Sequence, residues 1–262
     1  MAFISRIPDM NSRLPQRYAD RASVNTIREV FDYIRRYKGK TFVLKIEDTL
    51  IGHPLFPLLM KDIVQLHDIG IHLIIVTGTR ATIEKHLTKA KINTRVVNGI
   101  RITPKSAMPQ VKLAAMEVVQ AVISHLSADN ANGIMGNWIR ARSLGVREGL
   151  DYQYTGYVEK IQSGIVHKLL GQDFIPVIYN IGMNATGNCY NLNSDKIARQ
   201  ICLDLDIEKL FFIRAQDAIP TSGLELPPGS QVHPNGKIYS NMDLDHVDFM
   251  LKQNKESLSF EN

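Results

Sequence analysis

Tyr190-Asn191-Leu192-Asn193-Ser194-Asp195-Lys196 joins an apolar run, Phe174 to Ile181, to a segment of helical spacing from Asp195 to Leu205. A strand whose carboxyl end runs into a helix start is where open α/β sheets take their ligands. Asn and Asp at a helix start are also ordinary caps, because their side-chain oxygens accept the unpaired N–H groups of the first turn. A ligand-binding reading therefore needs other loops on the same edge. The chain offers three, at Lys45 to Thr49, Thr77 to Arg80 and Asn98 to Thr103, each following a short apolar run.

Working outward, Thr41 to Ile46 predicts a buried strand, and Leu55 to Ile69 a helix ended by Gly70. His72 to Val76 is a second buried strand, followed by the turn Thr77-Gly78-Thr79-Arg80 and a helix from Ala81 to Ala90. Arg95 to Val97 is a short strand, and Ser106 to Leu126 a long helix with Val111, Ala115, Val118, Val119, Val122 and Ile123 on its apolar face. Gly133 to Arg142 and Tyr152 to Ile161 pattern as a hairpin around the charged stretch Gly145 to Gly149, with Trp138 as packing. Ser163 to Leu170 is a short helix and Lys209 to Arg214 a further strand. Thr221 to Tyr239 reads as a loop or ragged hairpin, and Asp243 to Gln253 as a last helix. This alternation predicts an α/β three-layer sandwich with a mostly parallel central sheet.

Residues 1 to 22, with Pro8 and Pro15, read as a loose arm before a domain spanning 23 to 262. Ile27, Val30, Phe31 and Ile34 then fall at helical spacing, with Thr26 and Glu29 as a capping box and Gly39 as the stop. The apolar face of that helix serves either the core or a second subunit, which makes a homo-oligomer the expectation.

Hydrophobic content of 44% and charged content of 22% are those of an ordinary globular protein. No apolar run is expected to cross a bilayer, and the first residues do not pattern as a signal peptide. Two cysteines, Cys189 and Cys202, do not make a disulfide framework, which fits a cytoplasmic setting. The net charge of +5 is spread along the chain, so it draws no nucleic-acid footprint and suits small anionic ligands equally well.

Lys45 ends a buried strand, where a cation needs a partner, an anionic ligand or a route to water. Gly78 lets main chain approach a ligand, and Thr79 and Arg80 follow at a helix start. Arg101 follows Gly99 in a loop, where it can clamp a carboxylate or make a surface ion pair. Asn191, Asn193 and Asp195 offer amides and one carboxylate. Asp195 can orient Lys45, and Asn191 can hold a polar substrate group. Together these loops predict a site for a small, amino-acid-like anion, with no metal ligands.

Two families share pieces of this pattern. Phe42 to Leu50 with Ile74-Ile75-Val76-Thr77-Gly78 resembles the first two motifs of haloacid-dehalogenase-type phosphatases, but Lys45 stands where their nucleophilic Asp is required. The order of all the segments resembles the amino acid kinase family, in its N-acetylglutamate kinase and N-acetylglutamate synthase branch. Gly39 to Lys45, Leu66 to Leu73, Asn98-Gly99-Ile100-Arg101-Ile102-Thr103, Gly145 to Gly156, and the Asn-x-Asn-x-Asp run at Asn191, Asn193 and Asp195 carry the likeness. It implies the amino acid kinase fold, truncated at the C-terminus, with an amino-acid-binding lobe to about 190 and a partial nucleotide-side lobe over 191 to 262. It implies catalytic positions at Lys45 and Asp195, and substrate contacts at Arg101 and Asn191 beside the loop Gly78, Thr79 and Arg80.

The chain departs from active kinases where they place a glycine pair after the first lysine. Here that pair is Glu47-Asp48. Two carboxylates there would repel a polyphosphate by several kcal/mol at ~4 Å and effective ε ~20. The late Thr-Asp becomes Arg214-Ala215, the second phosphate-binding lysine segment is not found, and no acetyltransferase domain follows. The resemblance thus implies a synthase-type domain of arginine biosynthesis with impaired phosphoryl transfer. Its expected role is regulatory or architectural, binding arginine or N-acetylglutamate beside a separate acetyltransferase chain. The alternative is a divergent acetylglutamate kinase using MgATP.

Overall fold

The computed structural model describes residues 21–215, 224–228 and 244–254. Helix α1 (Arg21–Tyr37) leads into β1 (Thr41–Ile46), α2 (Phe56–Asp68), β2 (His72–Thr77) and α3 (Arg80–Lys89). The hairpin β3 (Val96–Val97) and β4 (Ile100–Arg101) precedes α4 (Met108–Ala128) and β5 (Gly133–Ile134). Strands β6 (Ile139–Ser143), β7 (Val146–Arg147), β8 (Leu150–Asp151) and β9 (Gly156–Ile161) follow, then α5 (Ser163–Leu170). The chain continues through β10 (Ile175–Ile178), β11 (Ile181–Met183), β12 (Cys189–Asn191), α6 (Ser194–Asp204), β13 (Lys209–Ile213) and α7 (Leu244–Gln253).

The central sheet runs β13-β1-β2-β10-β5, and all its pairings are parallel. Its strands are apolar on both faces because helices cover both. Period-two alternation sorts β1 cleanly. Phe42, Leu44 and Ile46 pack with Phe56, Met60 and Val122 of α2 and α4, while Val43 packs with Ile197 and Ile201 of α6. Lys45 shares the parity of Val43, so it faces the layer that contains α6. In the same way β2 sends Leu73 and Ile75 to the first layer, and Ile74 and Val76 to the second. This is the expected α/β sandwich around a parallel sheet.

Several local expectations change. The apolar run from Phe174 is not one strand. It breaks at Tyr179-Asn180 into β10 in the central sheet and β11 in a second sheet ordered β12-β11-β6-β9. Close packing accounts for the second half: a Cβ on Gly182 would sit 2.6 Å from Ala141 Cβ and 2.7 Å from Leu192 Cδ1. Gly133-Ile134 pairs with β10 instead of joining the hairpin, which is β6 with β9. Trp138 is buried between them, as expected of a packing residue.

Helix α1 begins at Arg21, so Thr26 and Glu29 lie inside it and do not cap its start. Ile27, Val30 and Phe31 are exposed, so they do not join the subunit core. The helix is instead attached at its end. Lys209 Nζ lies 4.1 Å from the Tyr37 ring centre and 4.8 Å from that of Tyr33, a cation–π contact from β13. Of the arm expected at 1 to 22, Arg21 and Ala22 belong to α1, and the rest, like most of 221 to 239, lies outside the described residues. Helix α4 is long and apolar enough to cross a membrane by length and composition, against the sequence expectation. In the fold its Val111, Ala114, Ala115, Val118, Val119, Val122 and Leu126 are buried, as suits the core helix of a folded domain.

Candidate functional site

The carboxyl ends of β1, β2 and β13 open on one edge of the central sheet, and the starts of α3 and α6 face it. A cleft of about 750 Å³ lies there, lined by residues of all four loops, including Lys45, Gly78, Arg101 and Asn191. That volume is ordinary for a small-molecule site.

Lys45 is 6% exposed. Its Nζ lies 2.9 Å from Asp195 Oδ1 and 3.5 Å from Glu47 Oε1. A buried ammonium is tolerated only with such partners. Asp195 can reach it because Asn193, two residues earlier, does the capping: its Oδ1 accepts from Asp195 N at 2.8 Å and Lys196 N at 3.0 Å. The cap reading and the site reading of the Asn-x-Asn-x-Asp run are therefore both satisfied, by different residues.

Asp48 takes the start of α3. Thr82 N donates to its Oδ2 at 2.6 Å, so a carboxylate of the chain sits where helix N–H groups would meet an anion. Gly78 serves the same junction. A Cβ there would lie 3.2 Å from Glu47 Cα and 3.4 Å from Ile46 O, so its bareness lets the two loops pack together. Gly78 also lines the cleft, so the close packing of the loops and the expected exposure toward a ligand are both compatible with its position. Thr79 is buried just before α3, and Arg80 is exposed in its first turn, lining the cleft.

Arg101 lines the cleft but is held by the chain. Its Nη2 donates to Glu84 Oε2 at 2.6 Å and its Nη1 to Thr94 Oγ1 at 2.5 Å. Asn191 is buried and tied on both sides: its Nδ2 donates to Thr103 Oγ1 at 3.0 Å, and its Oδ1 accepts from Asn180 Nδ2 at 2.8 Å. Asn191 lines the cleft while its side-chain amide takes part in a relay within the chain.

Reading the sequence missed Asn180, Thr155 and Glu84. Asn180 had a signal, a polar residue interrupting an apolar run. Thr155 and Glu84 had none, since only the fold brings them to Thr103 and Arg101. Among the described residues no cluster of metal-ligating side chains forms.

A parallel sheet with helices on both faces, and a charged cleft at its carboxyl edge, defines an α/β domain with a cleft at the place where open α/β sheets take their ligands. The model of the amino acid kinase family matches residues 40–248, and the chain belongs to that family. Among curated proteins it is similar to an amino-acid acetyltransferase of Proteus mirabilis, 31% identical over 76% of this chain and 47% of the relative. The amino-acid acetyltransferase of Vibrio cholerae is likewise 31% identical, over 77% of this chain and 48% of its own. The chain thus spans about half the length of these relatives. Among solved structures, N-acetylglutamate synthase from Neisseria gonorrhoeae, complexed with coenzyme A and N-acetyl-glutamate, superposes with a TM-score of 0.77 at 22% identity. That match covers 91% of this chain and 53% of the synthase. The same synthase complexed with coenzyme A and L-arginine gives 0.77 at 21% identity. The fold is therefore that of the synthase's amino acid kinase-like part.

Proposed function

We propose that this chain is a synthase-type amino acid kinase-like domain of arginine biosynthesis, in which phosphoryl transfer is impaired and the cleft binds an amino acid or acetylamino acid. Its role is regulatory or architectural, beside an acetyltransferase. The observation that carries this reading is that the chain's own carboxylates fill both polyphosphate-binding features. Glu47 and Asp195 neutralise Lys45, and Asp48 occupies the start of α3. Phosphoryl transfer depends on positive groups and open main-chain N–H groups around the transferring phosphoryl. Here a nucleotide would have to displace them or be repelled by them. A small amino-acid-like ligand carries one or two carboxylates in place of a polyphosphate, so it meets less repulsion. A coupled assay with N-acetyl-L-glutamate and MgATP tests the first half. Turnover at or above ~1 s⁻¹, the range of working kinases, would refute it.

One observation favours a second reading, an active acetylglutamate kinase using MgATP. Lys45 and Asp195 stand 2.9 Å apart at the sheet edge, an arrangement that can hold an ammonium toward a phosphoryl group. In that case Lys45→Ala abolishes turnover that the unaltered chain shows.

A further inference from the structure

A second cavity, of about 480 Å³, is lined by Ser143, Asp151, Gln153, Tyr154, Asn188 and Tyr190. One ribbon of backbone separates it from the cleft. Asn191 N donates to Tyr154 O at 2.9 Å, and Thr155 pairs in parallel with Asn191. Side chains alternate across such a pairing. Thr155 and Asn191 therefore line the cleft, while Tyr154 and Tyr190 line the second cavity. The two rings lie 6.4 Å apart and 30° from parallel. Each is braced from a different side. Tyr154 packs against the core between α3 and α4, and Tyr190 against the core that contains α6. The polar rim is held as well: Asp151 Oδ1 accepts from Gln153 N at 2.9 Å, and Ser143 Oγ donates to Gln153 O at 3.2 Å.

We propose that this cavity binds a planar organic cation, a guanidinium group, over the Tyr154 and Tyr190 rings with its N–H groups toward Asp151. Charge selects the class. In the whole chain Lys and Arg outnumber Asp and Glu by 31 to 26, yet the one charged group lining this cavity is a carboxylate. Asp151 accepts from main chain, and among the described residues it has no ion-pair partner. Aromatic faces are electron-rich too, and a cation over the pair comes within about 6 Å of both ring centres, the range of cation–π attraction. Shape selects within the class. A guanidinium is flat, stacks on aromatic faces and meets a carboxylate through two parallel N–H groups, whereas an ammonium is compact and strongly hydrated. Asn188 Nδ2 donates to Thr186 Oγ1 at 3.1 Å, so its Oδ1 can accept a further N–H of the ligand. The same group can arrive free in solution or on an arginine side chain of a partner.

NMR titration of the whole isotope-labelled chain tests this, because amide shifts report where a probe binds as well as how tightly. The probes are butylguanidinium, its neutral isostere butylurea, and butylammonium. Butylguanidinium should move the amide signals of Gln153 and Asn188 and bind at least about tenfold more tightly than butylurea, which is flat but uncharged. Butylammonium should fall between them. Asp151→Asn keeps the oxygen that Gln153 N needs, and should weaken butylguanidinium about threefold or more while leaving butylurea unchanged. If that variant does not fold, the comparison of probes on the unaltered chain decides alone. N-acetyl-L-arginine methylamide separates the sources: affinity at or above that of butylguanidinium assigns a side chain of a partner, and weaker binding assigns a free cation. Equal affinities for butylguanidinium and butylurea, shifts confined to the cleft loops, or no shift with any probe would overturn the inference. Each of those results leaves the reading of the cleft untouched.

Discussion

The two sides of the cleft solve opposite problems. On one side, Lys45, Glu47, Asp48 and Asp195 carry charge, and each charge has an internal partner. On the other, Asn180, Asn191, Thr103 and Thr155 carry none, and their relay is left open at one oxygen. The charged side compensates itself, while the neutral side is incomplete. The two sides therefore present different surroundings to an added group. An anion beside Lys45 would have to displace carboxylates already seated there, whereas Asn180 Oδ1 has no partner among the described residues.

The largest expected effect breaks the neutral side. Thr103 is fully buried, and Thr103→Val keeps its shape while removing the hydroxyl that joins Asn191 to Thr155. Asn191 Nδ2 then loses its acceptor inside the protein. Chemical denaturation should show a loss of about 2 kcal/mol, the usual cost of stranding a buried donor. An unchanged midpoint would mean that the relay does not hold in solution.

A smaller effect sharpens the charged side. Asp195→Ala leaves the buried Lys45, among the described residues, with Glu47 at 3.5 Å as its one acidic partner. Breaking a fully buried pair costs about 3–5 kcal/mol, but the Asp195 side chain is 56% exposed, so about 1–2 kcal/mol is expected. Adding Lys45→Met should restore most of the loss, because a matched apolar replacement leaves no unpaired charge. A double-mutant cycle with no coupling would show that the pair is incidental.

The sequence made the sheet legible because β1 and β2 are short, largely apolar, β-branched-rich runs bounded by turn and helix signals. It also made the four loops legible: two follow β1 and β2 of the parallel sheet, one is the β3–β4 hairpin, and one joins β12 to α6. The division of labour within them was less accessible. Asn191 and Asn193 are the same residue type two positions apart, yet one caps α6 and the other joins a relay to Thr103, far away in the chain. For Arg101 a clamp and an ion pair were both open; the partner, Glu84, lies on a different element, and only packing of α3 beside the hairpin brings it near. The break between β10 and β11 was hidden because Ile178 and Ile181 flank it with apolar residues on both sides. Side-chain partners across elements depend on register and crossing angles, which no local pattern encodes.

The smallest expected effect separates two meanings of Asp48. As a cap it satisfies Thr82 N, and as a charge it closes the start of α3 to anions. Asp48→Ala removes both and should cost about 1 kcal/mol, read as a lowered melting temperature. Asp48→Asn keeps an acceptor oxygen and should cost less. The two variants then differ in response to inorganic phosphate. With the carboxylate gone and the helix N–H groups exposed, phosphate should raise the melting temperature of the Ala variant and leave the unaltered chain unmoved. The Asn variant, neutral but still capped, should respond weakly. If phosphate stabilises all three alike, Asp48 does not guard this edge. The barrier to a nucleotide would then have to lie with Glu47 and Lys45, one residue type and one strand position away.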